Sequence, residues 1–156
     1  MLIKIIAVGK TKARYWQLAE SQYVRRIQRY AELRQLIIKD ATREAISNPE
    51  LAKDVEGENI LRKILGDDYV VALDSHGQQL SSEQFAEFFQ TRTMRGIVKF
   101  AFVIGGPLGL SADILKKANE VLSLSKMTLP HELSRVMLLE QIYRAFSILR
   151  NEKYHK

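Results

Sequence analysis

Apolar residues open the chain as a nearly unbroken run: Leu2–Val8 is interrupted only by Lys4, is rich in isoleucine and closes on Gly9. A short run of that kind, bounded by glycine, predicts a strand buried on both faces. A different rhythm follows. Trp16, Ala19, Tyr23, Ile27 and Tyr30 recur every three or four positions while Arg25, Arg26 and Arg29 fall off the stripe, which predicts an amphipathic helix. The two rhythms then alternate, with strands expected over residues 33–39, 69–73 and 98–104 and helices over about 49–65 and 82–91. Asn48 before Pro49 marks a helix start, and Glu56, Gly57 and Glu58 are expected to interrupt or loosen the helix that follows. Regular strand-to-helix alternation with continuous apolar strands predicts an α/β fold, a mostly parallel sheet with helices on both faces. No linker or repeat divides the chain, so residues 1–156 are expected to form one domain.

The last third changes texture. Residues 103–109 pass from strand into a glycine-rich turn, after which Ser111 is placed to cap a helix running to about Glu120. Residues 122–130 are polar but hardly charged, with hydroxyl groups at Ser123, Ser125 and Thr128. From about Glu132 to Leu149 a long helix carries apolar side chains around more than one stripe, among them Leu133, Val136, Leu139, Ile142 and Phe146. Such a helix must be covered on more than one side, which points to a partner subunit.

Composition narrows the chemistry. The absence of cysteine removes disulfides, thiolate metal sites and thiol nucleophiles. No apolar stretch approaches the roughly 20 residues that cross a bilayer, and the opening run is too short and wrongly flanked for a secretory signal, so a cytoplasmic protein is expected. The net charge of +6 is unevenly spread: ten basic against three acidic residues in 1–43, three against ten in 44–90, eleven against five in 91–156. If the two basic ends meet, Lys10, Lys12, Arg14, Arg25, Arg26, Arg29, Arg135, Arg144 and Arg150 form a surface that attracts a polyanion. An ordinary solvated basic surface has the same composition, and charge does not separate RNA from DNA.

Three segments at predicted strand ends stand out: residues 73–77 (LDSHG), 104–111 (IGGPLGLS) and 122–130 (LSLSKMTLP). In open α/β sheets ligands sit at the carboxyl ends of strands, where glycine permits close approach and backbone amides bind polar atoms. All three can line one pocket, although each alone reads equally as a strand-to-helix turn. Familiar signatures fail. Gly9, Lys10 and Thr11 mimic the end of a phosphate loop, but Lys4 stands where its first glycine belongs. Gly105, Gly106 and Gly109 do not have the dinucleotide spacing, and His131–Glu132 is followed by Arg135 where a metalloprotease helix needs its second histidine. With only three histidines, no metal is expected.

Taken in order, residues 5–10 (IIAVGK), 71–77 (VALDSHG), 102–111 (FVIGGPLGLS), 122–130 with His131 and Arg135, and the ending 143–156 (YRAFSILRNEKYHK) resemble one family over the whole chain. It is the SPOUT-class pseudouridine N3-methyltransferases of large-subunit ribosomal RNA, the RlmH family. The resemblance implies a deep trefoil knot in the C-terminal half, a feature that periodicity does not reveal. It implies a homodimer, and S-adenosylmethionine held by Leu73, Gly105 and the run Leu124, Ser125, Lys126, Met127, Thr128 and Leu129. The implied reaction is methylation of N3 of a pseudouridine in 23S rRNA, within the large subunit or the assembled ribosome. N3 must lose a proton, so His155 and His131 are candidate bases, Arg135 a candidate stabiliser of the developing anion, and Tyr154 a candidate stacking surface. The plainer readings are that Arg135 pairs with a carboxylate, His131 caps the last helix and the final residues are a frayed tail. Two other functions stay open on the residues alone: an RNA- or ribosome-binding protein without catalysis, and a small-molecule enzyme using a nucleotide cofactor.

Overall fold

Five strands, β1 (Leu2–Val8), β2 (Glu32–Ile38), β3 (Tyr69–Gln78), β4 (Lys99–Ile104) and β5 (Glu120–Leu122), form one sheet in the order β2-β1-β4-β3-β5 with every pairing parallel. The computed structural model describes residues 1–41 and 47–155, the side chain of His155 excepted. Parallel pairing obliges each connection to cross a face of the sheet, and both faces are covered. Ile3, Ile5, Phe100 and Phe102 point to one face, toward α1 (Arg14–Ile27), α3 (Ser82–Met94) and α5 (His131–Leu149). Ile6, Val8, Ala101 and Val103 point to the other, toward α2 (Pro49–Leu61) and α4 (Ala112–Lys117). The alternation follows from the strand period of two, and it is why β1 and β4 read as continuous apolar runs. A knot of phenylalanines fills the first face, Phe89 standing 5.1 Å from both Phe85 and Phe100 between ring centroids.

Lys4, the one break in the first run, is buried and donates to Asp68 Oδ2 at 2.8 Å. An unpaired ammonium there would be costly, so the pair explains how a lysine occupies a central strand.

Several boundaries differ from the pattern. The helix beginning at Pro49 ends at Leu61 rather than near 65, and it runs unbroken through Glu56, Gly57 and Glu58. Gly57 is a point of close approach: a Cβ there would stand 2.3 Å from Ser111 Oγ. Ser111 is therefore engaged by packing, and its side chain makes no capping bond to α4, which stops at Lys117. Glu120, expected as the end of that helix, begins β5, a strand of three residues whose pattern is too short to show. Strand β3 continues beyond Leu73 to Gln78, but Leu73 and Gln78 both pair with Leu122, so residues 74–77 bulge out of the ladder. The long helix lies between α1 and α3 and over the sheet, so Leu138, Leu139, Ile142, Ala145 and Phe146 are buried within the chain itself. Part of its wide apolar surface is thus covered within the chain, while Leu133, Val136 and Met137 stay partly exposed.

Candidate functional site

The carboxyl ends of β3, β4 and β5 open into a cavity of about 670 Å³, in the size range of small-molecule sites. Residues 73–75, 104–107 with Gly109, and 123–125 with 127–131 line it, and Ser134 closes one side. The three segments singled out in the sequence therefore meet.

Each wall has a local cause. At the end of β4 the chain doubles back, with the Gly109 N–H donating to the Gly106 carbonyl at 3.0 Å. A Cβ on Gly105 would lie 2.7 Å from the Gly109 carbonyl group, so no other residue fits that turn without moving the backbone. At the bulge in β3 a Cβ on Gly77 would stand 2.6 Å from the Leu122 backbone, which places β3 and β5 in direct contact beneath the opening. The hydroxyl-rich loop is shaped by its own side chains. Ser123 Oγ donates to the Ser125 carbonyl and the Met127 N–H donates to Ser125 Oγ, both at 2.9 Å. Such side-chain-to-backbone bonds hold a loop that has no ladder or helix to hold it.

Charge is scarce in the lining. Among the described residues Asp74 is the one side chain of fixed charge, and its Oδ1 accepts from the His76 N–H and meets His76 Nδ1, both at 2.9 Å. His131 and Ser134 come from the first turn of α5, whose helix start at Pro130 carries no side-chain cap. Free backbone donors in such a turn favour anionic or carbonyl groups nearby.

Of the residues expected around a cofactor, Leu73, Gly105, Leu124, Ser125, Met127, Thr128 and Leu129 line this cavity. Lys126 does not, and is exposed. His131 lies on its wall. Arg135 does not reach it: the guanidinium is buried, donates to the Val8 carbonyl at 2.6 Å, to the Gly9 carbonyl and to Thr11 Oγ1 at 3.1 Å, and burial lowers its pKa. Neither the anion-stabilising role nor the carboxylate pair is what these contacts express; Arg135 ties the β1–α1 loop to α5. Tyr154 sits elsewhere, its ring 4.6 Å from Tyr143 and 4.8 Å from the Arg144 guanidinium, its hydroxyl 3.2 Å from Glu140 Oε1. Burial there raises its pKa. Glu140 is six positions beyond Ser134, or about 9 Å along the helix axis, and Tyr154 is not among the residues that line the cavity. The side chain of His155 lies outside the described residues. Asp74 and Gly106 fall within the segments singled out in the sequence, though neither was assigned a cofactor contact; Ser134 lay outside them, and was signalled by its position three residues after His131, on the same helix face.

A second, smaller cavity of about 270 Å³ lies between the end of β3, the start of α3 and α5, and shares Leu73, Ser123 and Leu124 with the first. Among the described residues there is no group of three histidine, aspartate or glutamate side chains able to hold a metal ion, and no helix long and apolar enough to cross a membrane.

Comparison with known proteins converges on one family. A family model described as "Predicted SPOUT methyltransferase" matches residues 1–155. Proteins named ribosomal RNA large subunit methyltransferase H are similar over their full length and that of this chain, at 48% identity in Bacillus cytotoxicus, 46% in Carboxydothermus hydrogenoformans and 45% in Clostridium acetobutylicum. Two solved structures share the fold at low identity. A probable methylase family protein from Haemophilus influenzae has a TM-score of 0.53 at 15% identity, covering 97% of this chain and 67% of its own. A probable methyltransferase from Bordetella pertussis has a TM-score of 0.54 at 11% identity, covering 92% and 95%. Because the family match and these relatives span essentially the whole sequence, the chain belongs to the SPOUT methyltransferases.

Proposed function

We propose that this protein transfers a methyl group from S-adenosylmethionine to N3 of a pseudouridine in 23S ribosomal RNA, acting on the large subunit or the assembled ribosome in the cytoplasm. The observation that carries the reading is the meeting of the three segments in one cavity, in a chain 45–48% identical over its length to proteins named as large-subunit rRNA methyltransferases.

The cavity suits the cofactor in size and chemistry. Its glycine turn brings backbone against whatever is bound, Leu73 and Leu129 offer apolar contact, and the 123–129 loop presents amides and carbonyls for an adenine and a ribose. S-adenosylmethionine supplies an activated methyl on a sulfonium leaving group, so no metal is required of the protein. What remains for the side chains is alignment and the fate of one proton, because N3 must be deprotonated as its new bond to carbon forms. His131, half-buried on the cavity wall, is one candidate to accept it, and His155 is the other. Exposed Lys12 and Arg14 stand by the start of α1, where the Lys12 N–H donates to Glu132 at 2.6 Å, and so lie close to the cavity end of α5. They are suited to phosphate contacts. We assign the stacking role of Tyr154 to a site shared between two subunits, since within one chain Tyr154 packs on Tyr143 and Glu140 and does not line the cavity.

Mass mapping of ribosomal RNA from cells lacking the protein tests the function. One methylated pseudouridine in 23S rRNA should become unmethylated and return when the protein is restored. An unchanged methylation map rejects the proposal and favours the binding-only alternative.

A further inference from the structure

The cofactor proposed for the main cavity carries two positive groups, a sulfonium and an ammonium, and one carboxylate, all at its amino-acid end. The cavity is almost without charge: Asp74 is the one side chain of fixed charge among its described lining residues. The carboxylate is oriented in advance. Both bonds recorded for it fall on Oδ1, from the His76 N–H and with His76 Nδ1, each at 2.9 Å, and no described residue bonds to Oδ2. The side chain is 21% exposed, whereas that of His76 is 94% exposed. Asp74 thus lines the site as a mostly covered carboxylate while the imidazole lies in solvent. Its position is set by the bulge in β3, which lifts residues 74–77 out of the ladder between the two pairings to Leu122. On another side, His131 and Ser134 bring the first turn of α5 to the cavity, the partly positive end of a 19-residue helix.

We propose that Asp74 is the counter-charge that holds the cationic end of the methyl donor, with the start of α5 facing its carboxylate. This rests on reading the cavity as the S-adenosylmethionine site, and it adds a specificity-determining residue to it. A carboxylate hydrogen-bonded to a cation is stronger than a neutral pair, and partial exposure screens it, so the contribution corresponds to about a tenfold change in affinity. The same carboxylate would favour the sulfonium form over any uncharged thioether that shares its adenosine.

Calorimetry with two ligands tests this. S-adenosylmethionine carries the charges; 5′-methylthioadenosine keeps adenine, ribose and sulfur but is neutral. In D74N, which retains an acceptor for the His76 N–H, the Kd for S-adenosylmethionine should rise about tenfold while that for methylthioadenosine stays within about twofold. Equal effects on both ligands, or none on either, overturn the assignment and leave Asp74 a loop-capping residue. If D74N has no cooperative melting transition, D74S, which keeps a short oxygen at the same place, provides the same ratio. Wild-type protein that binds neither ligand overturns the cofactor reading itself.

Discussion

At position 105 a side chain of any size collides with the backbone four residues on, because a Cβ would come within 2.7 Å of the Gly109 carbonyl. The turn must open to accept it, and the turn is a wall of the cavity. G105A is expected to weaken S-adenosylmethionine binding by at least about tenfold in calorimetry, through loss of close backbone approach. G66A is the control, since a Cβ there meets nothing within 4 Å and the melting temperature should hardly move. Arg135 is decided by the same kind of local accounting. Its guanidinium satisfies the Val8 and Gly9 carbonyls and Thr11 from within the core, leaving only its own Nε unpaired. R135A strands those carbonyls and empties a large buried volume, so a loss of about 3 kcal/mol is expected, read as a lower denaturation midpoint. Direct participation in methyl transfer would instead lower the rate with stability unchanged.

Among the elements, α1 and α5 are joined by an unusual cap. Ala13 occupies the N-cap of α1 and offers no side-chain acceptor; the Glu132 carboxylate, from the first turn of α5, accepts the Lys12 N–H at 2.6 Å instead. Backbone hydrogen bonds from Lys12 and Ala13 hold the Glu132 pKa below its ordinary value of 4.5. A carboxylate whose pKa is depressed by folding stabilises above its unfolded pKa and loses that contribution as pH falls through the folded one. E132A should therefore lower the melting temperature at pH 7, and the gap from wild type should close as the pH is taken well below 4.5. A gap independent of pH would mean that the carboxylate's charge plays no part. The elements themselves were legible in unequal measure. Long runs such as Leu2–Val8 and the stripe from Trp16 to Tyr30 declare their type because many residues repeat one period. Strand β5 has only Glu120, Val121 and Leu122, and its strand character comes from pairing with β3, not from any local preference.

For the whole molecule, family membership carries a C-terminal trefoil knot, one of the rare departures from unthreaded chains. It also frames the tail. Tyr154 packs on Tyr143 and Arg144, and Tyr30, whose hydroxyl donates to Glu152, is pushed by burial to a pKa of about 12. The 3-10 turn at Lys153–His155 is thus docked on α5, and we propose that in a homodimer it would serve the partner's cavity. Deleting residues 154–156 should abolish methyl transfer while leaving cofactor affinity nearly intact. Mixing that truncation with G105W should restore activity in heterodimers, where one cavity is intact and faces an intact tail. Full activity of the truncated protein alone, or no rescue on mixing, argues that each subunit works by itself.

What the residues determined alone was the alternation of strand and helix, the doubly covered sheet, and the three polar, glycine-bearing segments at strand ends. These depend on periodicity and local backbone freedom, which are properties of short stretches. Only the tertiary structure decided that Arg135 is a buried tether, that Tyr154 packs on Tyr143 and Glu140 rather than on the cavity wall, and that Gly57 belongs inside a helix against Ser111. It alone picked out Asp74 as the one fixed charge among the described lining residues. Each of those depends on which atoms arrive from distant parts of the chain, and a side chain's role is set by the neighbours that satisfy or isolate its charge.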